Sequence, residues 1–192
     1  MNFIFDIGNV LVAYKPEQFL QNLLNNRLDE EKMLNLIFKS NEWIELDKGA
    51  ITQNEARSIF CTREPEHTEL IIKVISKIPE MLTPMEETIE LLYMIKEKGH
   101  KLYYLSNYHV KLSAYIQDRY SFFKLFDGGV FSCDIHIVKP NPAIYHHLLD
   151  KYKLNPTKCI FFDDTAENTI AAEKLGIKGV MFTCAEVVEG YI

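Results

Sequence analysis

Apolar and polar positions follow two different rhythms along this chain. Four short apolar runs, FIF at 3–5, KLYYL at 101–105, CIFF at 159–162 and GVMF at 179–182, have the length and composition of buried strands. Longer stretches between them repeat with helical spacing. MEETIELLYMIKEKGH places Ile89, Leu92, Tyr93 and Ile95 on one stripe and meets a helix stop at Gly99. NPAIYHHLLDKY opens with Asn141 as a cap and Pro142 in the first turn, and AENTIAAEKLG ends at Gly176 in the same manner as the first. Short buried strands alternating with helices predict an α/β fold with a parallel sheet.

Residues 14–85 break that alternation. EQFLQNLLNNRLDEEKMLNLIF and ITQNEARSIFCTREPEHTELIIKVI read as several amphipathic helices, with no strand among them. The expected organisation is therefore a core domain formed by 1–13 and 86–192, with a helical insertion at 14–85.

Composition narrows the function classes. A chain of 192 residues with 47% hydrophobic content fills the core of one domain, or of one domain with a small insertion. The net charge of -6, with no block of lysine or arginine, leaves no electrostatic footprint for nucleic acid or acidic lipid and favours a small-molecule substrate. No apolar stretch approaches the roughly 20 residues of a membrane span. The start of the chain has no early basic residue, and Asp6 interrupts its first apolar run, so no signal peptide is expected. The four cysteines are scattered without a CxxC pair, as reduced thiols of a cytoplasmic protein would be. Nothing in the pattern sets an oligomeric state.

Three of the strand candidates run into polar residues of one kind: FIF into Asp6, KLYYL into Ser106 and Asn107, and CIFF into Asp163 and Asp164. Ligands of open parallel sheets bind beyond the carboxyl ends of the strands, so these residues should converge on one crevice. Three carboxylates in one crevice repel each other unless a cation joins them. Oxygen donors alone suit a hard ion, and Mg²⁺ binds one or two carboxylates together with a substrate phosphate. Lys139, in IVKPNP, adds a fixed positive charge, while the Ser106 hydroxyl and the Asn107 amide are donors for phosphate oxygens. The set reads as a phosphate-binding site with a carboxylate nucleophile. His109, His146 and His147 read as surface residues, and Trp43 as core of the helical segment.

In this order the residues resemble the four motifs of the haloacid dehalogenase superfamily of phosphohydrolases. They are Asp6 in FDIGNV, Ser106 in LSN, Lys139 in VKPNP, and Asp163 and Asp164 in FFDDTAEN, followed by Asn168. The resemblance covers nearly the whole chain and implies a Rossmann-like core with an inserted helical cap of the first type at 14–85. It further implies that Asp6 attacks phosphorus to form an aspartyl-phosphate that water hydrolyses. Mg²⁺ would be held by Asp6, the Gly8 backbone carbonyl and Asp164, with Asp163 and Asn168 supporting. Ser106, Asn107 and Lys139 would bind the phosphoryl group of a small phosphorylated metabolite.

FDIGNV carries one departure from the family pattern, because most members place a second aspartate where Gly8 stands. Glycine followed by Asn-Val resembles the sugar-phosphate branch typified by α-D-glucose-1-phosphate phosphatase. A backbone carbonyl survives the change, but the side chain that protonates the leaving oxygen does not. A water, His109 and Asp47 are the candidates to replace it. Two alternatives stay open: a dehalogenase-type hydrolase, and a catalytically weak protein that binds phosphorylated metabolites.

Overall fold

The computed structural model describes residues 1–192. Five parallel strands form one sheet in the order β3-β2-β1-β4-β5, where β1 is Asn2–Phe5, β2 Lys101–Ser106, β3 Gly128–Phe131, β4 Cys159–Asp163 and β5 Lys178–Met181. β1 is central, with Phe5 opposite both Tyr104 and Phe162. Four strands lie where the apolar runs predict them. β3 was not predicted: its GGVF sequence lacks an apolar run because Gly128 and Gly129 lie against aromatic rings. A Cβ on either glycine would come within 2.4 Å of Tyr152 or Tyr104.

The period-2 alternation of each strand divides the core between the two faces. Phe3, Phe5, Leu102 and Phe162 point to one side, and Ile4, Tyr103, Leu105 and Phe161 to the other. The second face is covered by α9 (Pro142–Tyr152) and α10 (Ala166–Glu173) through Ile144, Tyr145, Leu148 and Ala172. The first carries α6 (Glu86–Glu97) and α11 (Ala185–Glu189). Helices on both faces of a parallel sheet explain why its strands are continuously apolar. The expected stripe on α6 loses one member, since Tyr93 is 47% exposed while Ile89, Leu92 and Ile95 are buried. Gly99 and Gly176 follow their helices with φ of 77° and 81°, the left-handed geometry that stops a helix at glycine.

Between β1 and β2 the chain is helical, as its periodicity predicts: α1 (Pro16–Leu23), α2 (Arg27–Met33), α3 (Asn41–Asp47), α4 (Gln53–Arg63) and α5 (Thr68–Met81). A π-helical turn, Leu34–Phe38, extends α2. Thr52 and Glu55 close a capping box at the start of α4. Phe60, Ile71 and Ile75 of this segment belong to the same apolar cluster as Phe5, Ile7 and Leu11. The helices therefore pack continuously onto the sheet beside the carboxyl end of β1. Two further helices, α7 (Val110–Arg119) after β2 and the short α8 (Ser132–Ile135) after β3, complete the chain.

Candidate active site

Asp6 directly follows β1, where its backbone N–H donates to the Phe162 carbonyl at 2.8 Å and carries the ladder one residue further. The chain then turns tightly, with the Ile7 carbonyl accepting from Val10, Leu11 and Val12. Gly8 in this turn has an unpartnered carbonyl and an ordinary backbone, and a Cβ there would meet only the Tyr14 Cβ, at 4.0 Å. Asn9 takes up the strain instead, at φ 53°, and its side chain secures both sides of the turn. Its Oδ1 accepts from the Tyr14 backbone at 2.9 Å and its Nδ2 donates to Asp164 Oδ2 at 3.0 Å.

Asp6, Asp163 and Asp164 each offer a carboxylate oxygen, and these atoms lie within 4.8 Å of one another. Asp6 Oδ1 is saturated, accepting from the Ile7 backbone at 2.7 Å, Ser106 Oγ at 2.5 Å and Lys139 Nζ at 2.8 Å. Its Oδ2 accepts nothing from the chain. Burial raises the Asp6 pKa to about 6, against the opposing pull of Lys139. Asp163 is fully buried, and both of its oxygens are occupied by Lys139, Asn168 and the Thr165 backbone. It holds the lysine rather than facing the cavity. Asp164 is less buried and lines the cavity.

Lys139 is buried, not a solvated loop residue, and joins Asp6 to Asp163. Burial alone would lower its pKa, but the two carboxylates reverse this and raise it. Its main chain is gripped by Asn107, whose Oδ1 accepts from Lys139 N at 2.8 Å and whose Nδ2 donates to Lys139 O at 3.1 Å. The Asn107 amide, expected to face phosphate, is thus committed to positioning the lysine. The Asn107 backbone N–H has no partner in the chain.

Of the site residues expected from the sequence, all except Asp163 line one cavity of about 230 Å³. Its opposite wall comes partly from the helical segment, with Tyr14, Trp43 and Asp47, and partly from the stretch after β2, with Tyr108, His109 and Leu112. Trp43 is 9% exposed, packs on Phe38 and also borders the cavity. His109 is not a surface residue. It is 4% exposed, lies edge-on to Trp43, and burial lowers its pKa to about 4, so it is neutral at pH 7. His146 and His147 are exposed, as expected.

The turn that ends α3 is fastened to α8. Ser132 Oγ donates to the Asp47 carbonyl, and His136 Nδ1 lies 2.8 Å from the Lys48 carbonyl. Gly49, at φ 66°, lies so close to Cys133 that a Cβ would stand 2.8 Å from the Cys133 carbonyl oxygen. Asp47 is thereby held in the cavity wall, and desolvation, reinforced by the charge of Asp6, raises its pKa to about 7.

Asn9, Tyr14, Tyr108 and Thr165 border the cavity but were not singled out from the sequence. Asn9 lies inside the quoted FDIGNV stretch, and Tyr108 directly follows LSN, so proximity to a motif was the available signal.

The chain is 26% identical over 180 residues to the sesquiterpene phosphatase astK of Aspergillus oryzae, covering 94% of this chain and 88% of that protein. It is 30% identical over 186 residues to mouse acyl-CoA dehydrogenase family member 10, of which it spans 17%. Among solved structures, a HAD family enzyme from Bacteroides thetaiotaomicron in complex with magnesium and inorganic phosphate superposes with a TM-score of 0.77 at 20% identity, covering 95% of this chain and 93% of that one. A HAD-like family hydrolase from Porphyromonas gingivalis gives 0.68 at 17% identity, covering 94% and 89%. The model of haloacid dehalogenase-like hydrolases matches residues 1–176, and the chain belongs to that family.

Proposed function

We propose that this hydrolase is a Mg²⁺-dependent phosphomonoesterase acting on a small phosphorylated metabolite. The observation that carries the reading is the charge balance of the site. Three clustered carboxylates face one lysine, which leaves two negative charges for a divalent ion to offset. The donor set fits Mg²⁺: Asp6 Oδ2, the unpartnered Gly8 carbonyl and Asp164 are hard oxygens with no histidine or thiol among them. The magnesium and phosphate bound by the Bacteroides thetaiotaomicron neighbour support the same assignment.

When bound, the ion would neutralise phosphoryl charge and orient the ester. The chain's own residues do the rest. Asp6 is the nucleophile, and the phosphoryl group passes to its carboxylate and then to water. Lys139 keeps its charge beside Asp6 and stabilises the transferring oxygens, helped by the free backbone N–H of Asn107, while the Ser106 hydroxyl, donating to Asp6 Oδ1, holds the nucleophile in place. Asp163 and Asn168 hold Lys139 at its post. In this reading 1–13 and 86–192 form the catalytic core domain, and 14–85 is a helical cap of the first type.

The substrate class we favour is a sugar phosphate, on the FDIGNV resemblance. A second class, an apolar phosphate ester, is favoured by the wall of Tyr14, Trp43, Tyr108 and Leu112 and by the sesquiterpene phosphatase relative. Comparing kcat/KM for hexose phosphates and a prenyl phosphate, with Mg²⁺, Ca²⁺ or chelator, tests both. Turnover should require Mg²⁺ and run poorly with Ca²⁺, whose looser coordination misplaces the attacking oxygen. Turnover unaffected by chelator would remove the metal assignment, and no turnover of any phosphate ester would leave the dehalogenase or binding reading.

A further inference from the structure

Hydrolysis of an alkyl phosphate leaves an oxygen that needs a proton, and few groups lining the cavity can supply one. Position 8 contributes no side chain. Lys139 is held between two carboxylates, and His109 carries no transferable proton near pH 7 because burial keeps its ring neutral. Burial raises the hydroxyl pKa of both Tyr14 and Tyr108, which makes them poor donors. Asp164 accepts from Asn9 and faces the metal-binding oxygens.

Asp47 differs from all of these. No lysine or arginine reaches its carboxylate: the adjacent Lys48 pairs with Glu45 at 2.7 Å, and Lys139 is occupied by Asp6 and Asp163. The one donor beside it is the His109 backbone N–H. The titratable groups that face it are Asp6 from the end of β1, Lys139 from the loop before α9, Tyr14 from the turn region, Tyr108 from the stretch after β2 and Cys133 from α8, and its own burial, reinforced by Asp6, raises its pKa to about 7 so that a protonated fraction persists at neutral pH. Its position is fixed as well, because the 47–49 turn is bonded to Ser132 and His136 and packed on Cys133.

Resting on the phosphatase reading above, we infer that Asp47, supplied by the helical segment across the cavity from Asp6, is the general acid of this enzyme. As an Asp6 oxygen bonds to phosphorus, the bond from phosphorus to the ester oxygen breaks and its electron pair stays on that oxygen. The Asp47 proton moves to it, releasing the alcohol and leaving Asp47 as carboxylate. In the second half, Asp47 takes a proton from a water whose oxygen attacks phosphorus. The bond to Asp6 breaks, its electron pair returns to the Asp6 carboxylate, and phosphate departs with Asp47 protonated again.

The test compares esters whose leaving groups differ in their need for a proton. Asp47→Asn should lower kcat/KM for an alkyl phosphate by about 10²–10⁴-fold, the usual worth of general acid catalysis, and for p-nitrophenyl phosphate by tenfold at most. A loss in equal proportion for both esters would overturn the assignment. Should Asp47→Asn not fold, Asp47→Ala with added formate replaces it: selective recovery of alkyl-ester turnover supports the role, and no recovery refutes it. Wild-type turnover of p-nitrophenyl phosphate with Mg²⁺ is the control for the underlying reading. Its absence would remove the phosphatase assignment itself, whereas its presence with an unchanged ester ratio in Asp47→Asn removes only Asp47.

Discussion

Lys139 Nζ lies 2.6 Å from Asp163 Oδ2, and both groups are closed to solvent. Removing one partner of such a pair strands the other as an unpaired buried charge, which costs about 3–5 kcal/mol. Lys139→Met should therefore destabilise the fold by roughly that amount, on top of a loss of activity. Urea unfolding of the purified variant measures it. An unfolding midpoint equal to wild type would mean that the pair does not stabilise the core.

Asp6→Asn should abolish turnover while leaving the fold intact, since the amide is no nucleophile but its oxygen still accepts from Ile7 and Ser106. Lys139 keeps Asp163 as a partner in that variant. The expected loss is about 10³-fold or more, read by steady-state assay beside a thermal melt. Activity above about 1% of wild type would point to another nucleophile.

Gly8 and Gly49 should respond oppositely to alanine. At Gly8 the Cβ has room and the backbone is ordinary, so Gly8→Ala should change stability by less than about 1 kcal/mol and preserve the carbonyl. At Gly49 the positive φ and the Cys133 carbonyl both oppose a Cβ, so Gly49→Ala should cost about 1–3 kcal/mol and disturb Asp47. Melting curves of the two variants decide the matter, and similar shifts would contradict the assigned roles.

Asp47 also marks stability with a pH signature. Its folded-state pKa is raised from 3.8 to about 7, so its contribution is fully present below about pH 4 and is lost as pH rises through about 7. Asp47→Asn carries no such titration. The stability of the variant relative to wild type should therefore rise between pH 4 and pH 8, by about 2–4 kcal/mol in the presence of chelator. Denaturant titrations at both pH values check the sign. A difference independent of pH would place the Asp47 carboxyl in water-like surroundings.

Most of the sheet was legible in the sequence because a strand buried on both faces writes an uninterrupted apolar run. β3 was not, since its packing requirement is the absence of side chains at Gly128 and Gly129, and glycine pairs otherwise signal turns. The residues gathered at the strand ends were legible for a similar reason: a carboxylate closing an apolar run is chemically conspicuous. Their division of labour was not. That Asp163 serves the lysine while Asp164 faces the cavity depends on which way successive side chains leave the end of β4. That Asn107 grips the Lys139 main chain depends on a contact between residues 32 positions apart, which no local pattern records. His109 was misjudged because a histidine beside a motif gives no sign of being covered by Trp43 from a distant helix.

The fastening of the 47–49 turn to Ser132, Cys133 and His136 bears on how substrate comes and goes. A roof pinned at that point serves as a standing wall, not a door, so molecules must pass through an aperture that is already open, and the aperture sets the bulkiest alcohol that can be released. Substrate range should then widen when residues at the rim are trimmed, with the 47–49 turn left in place.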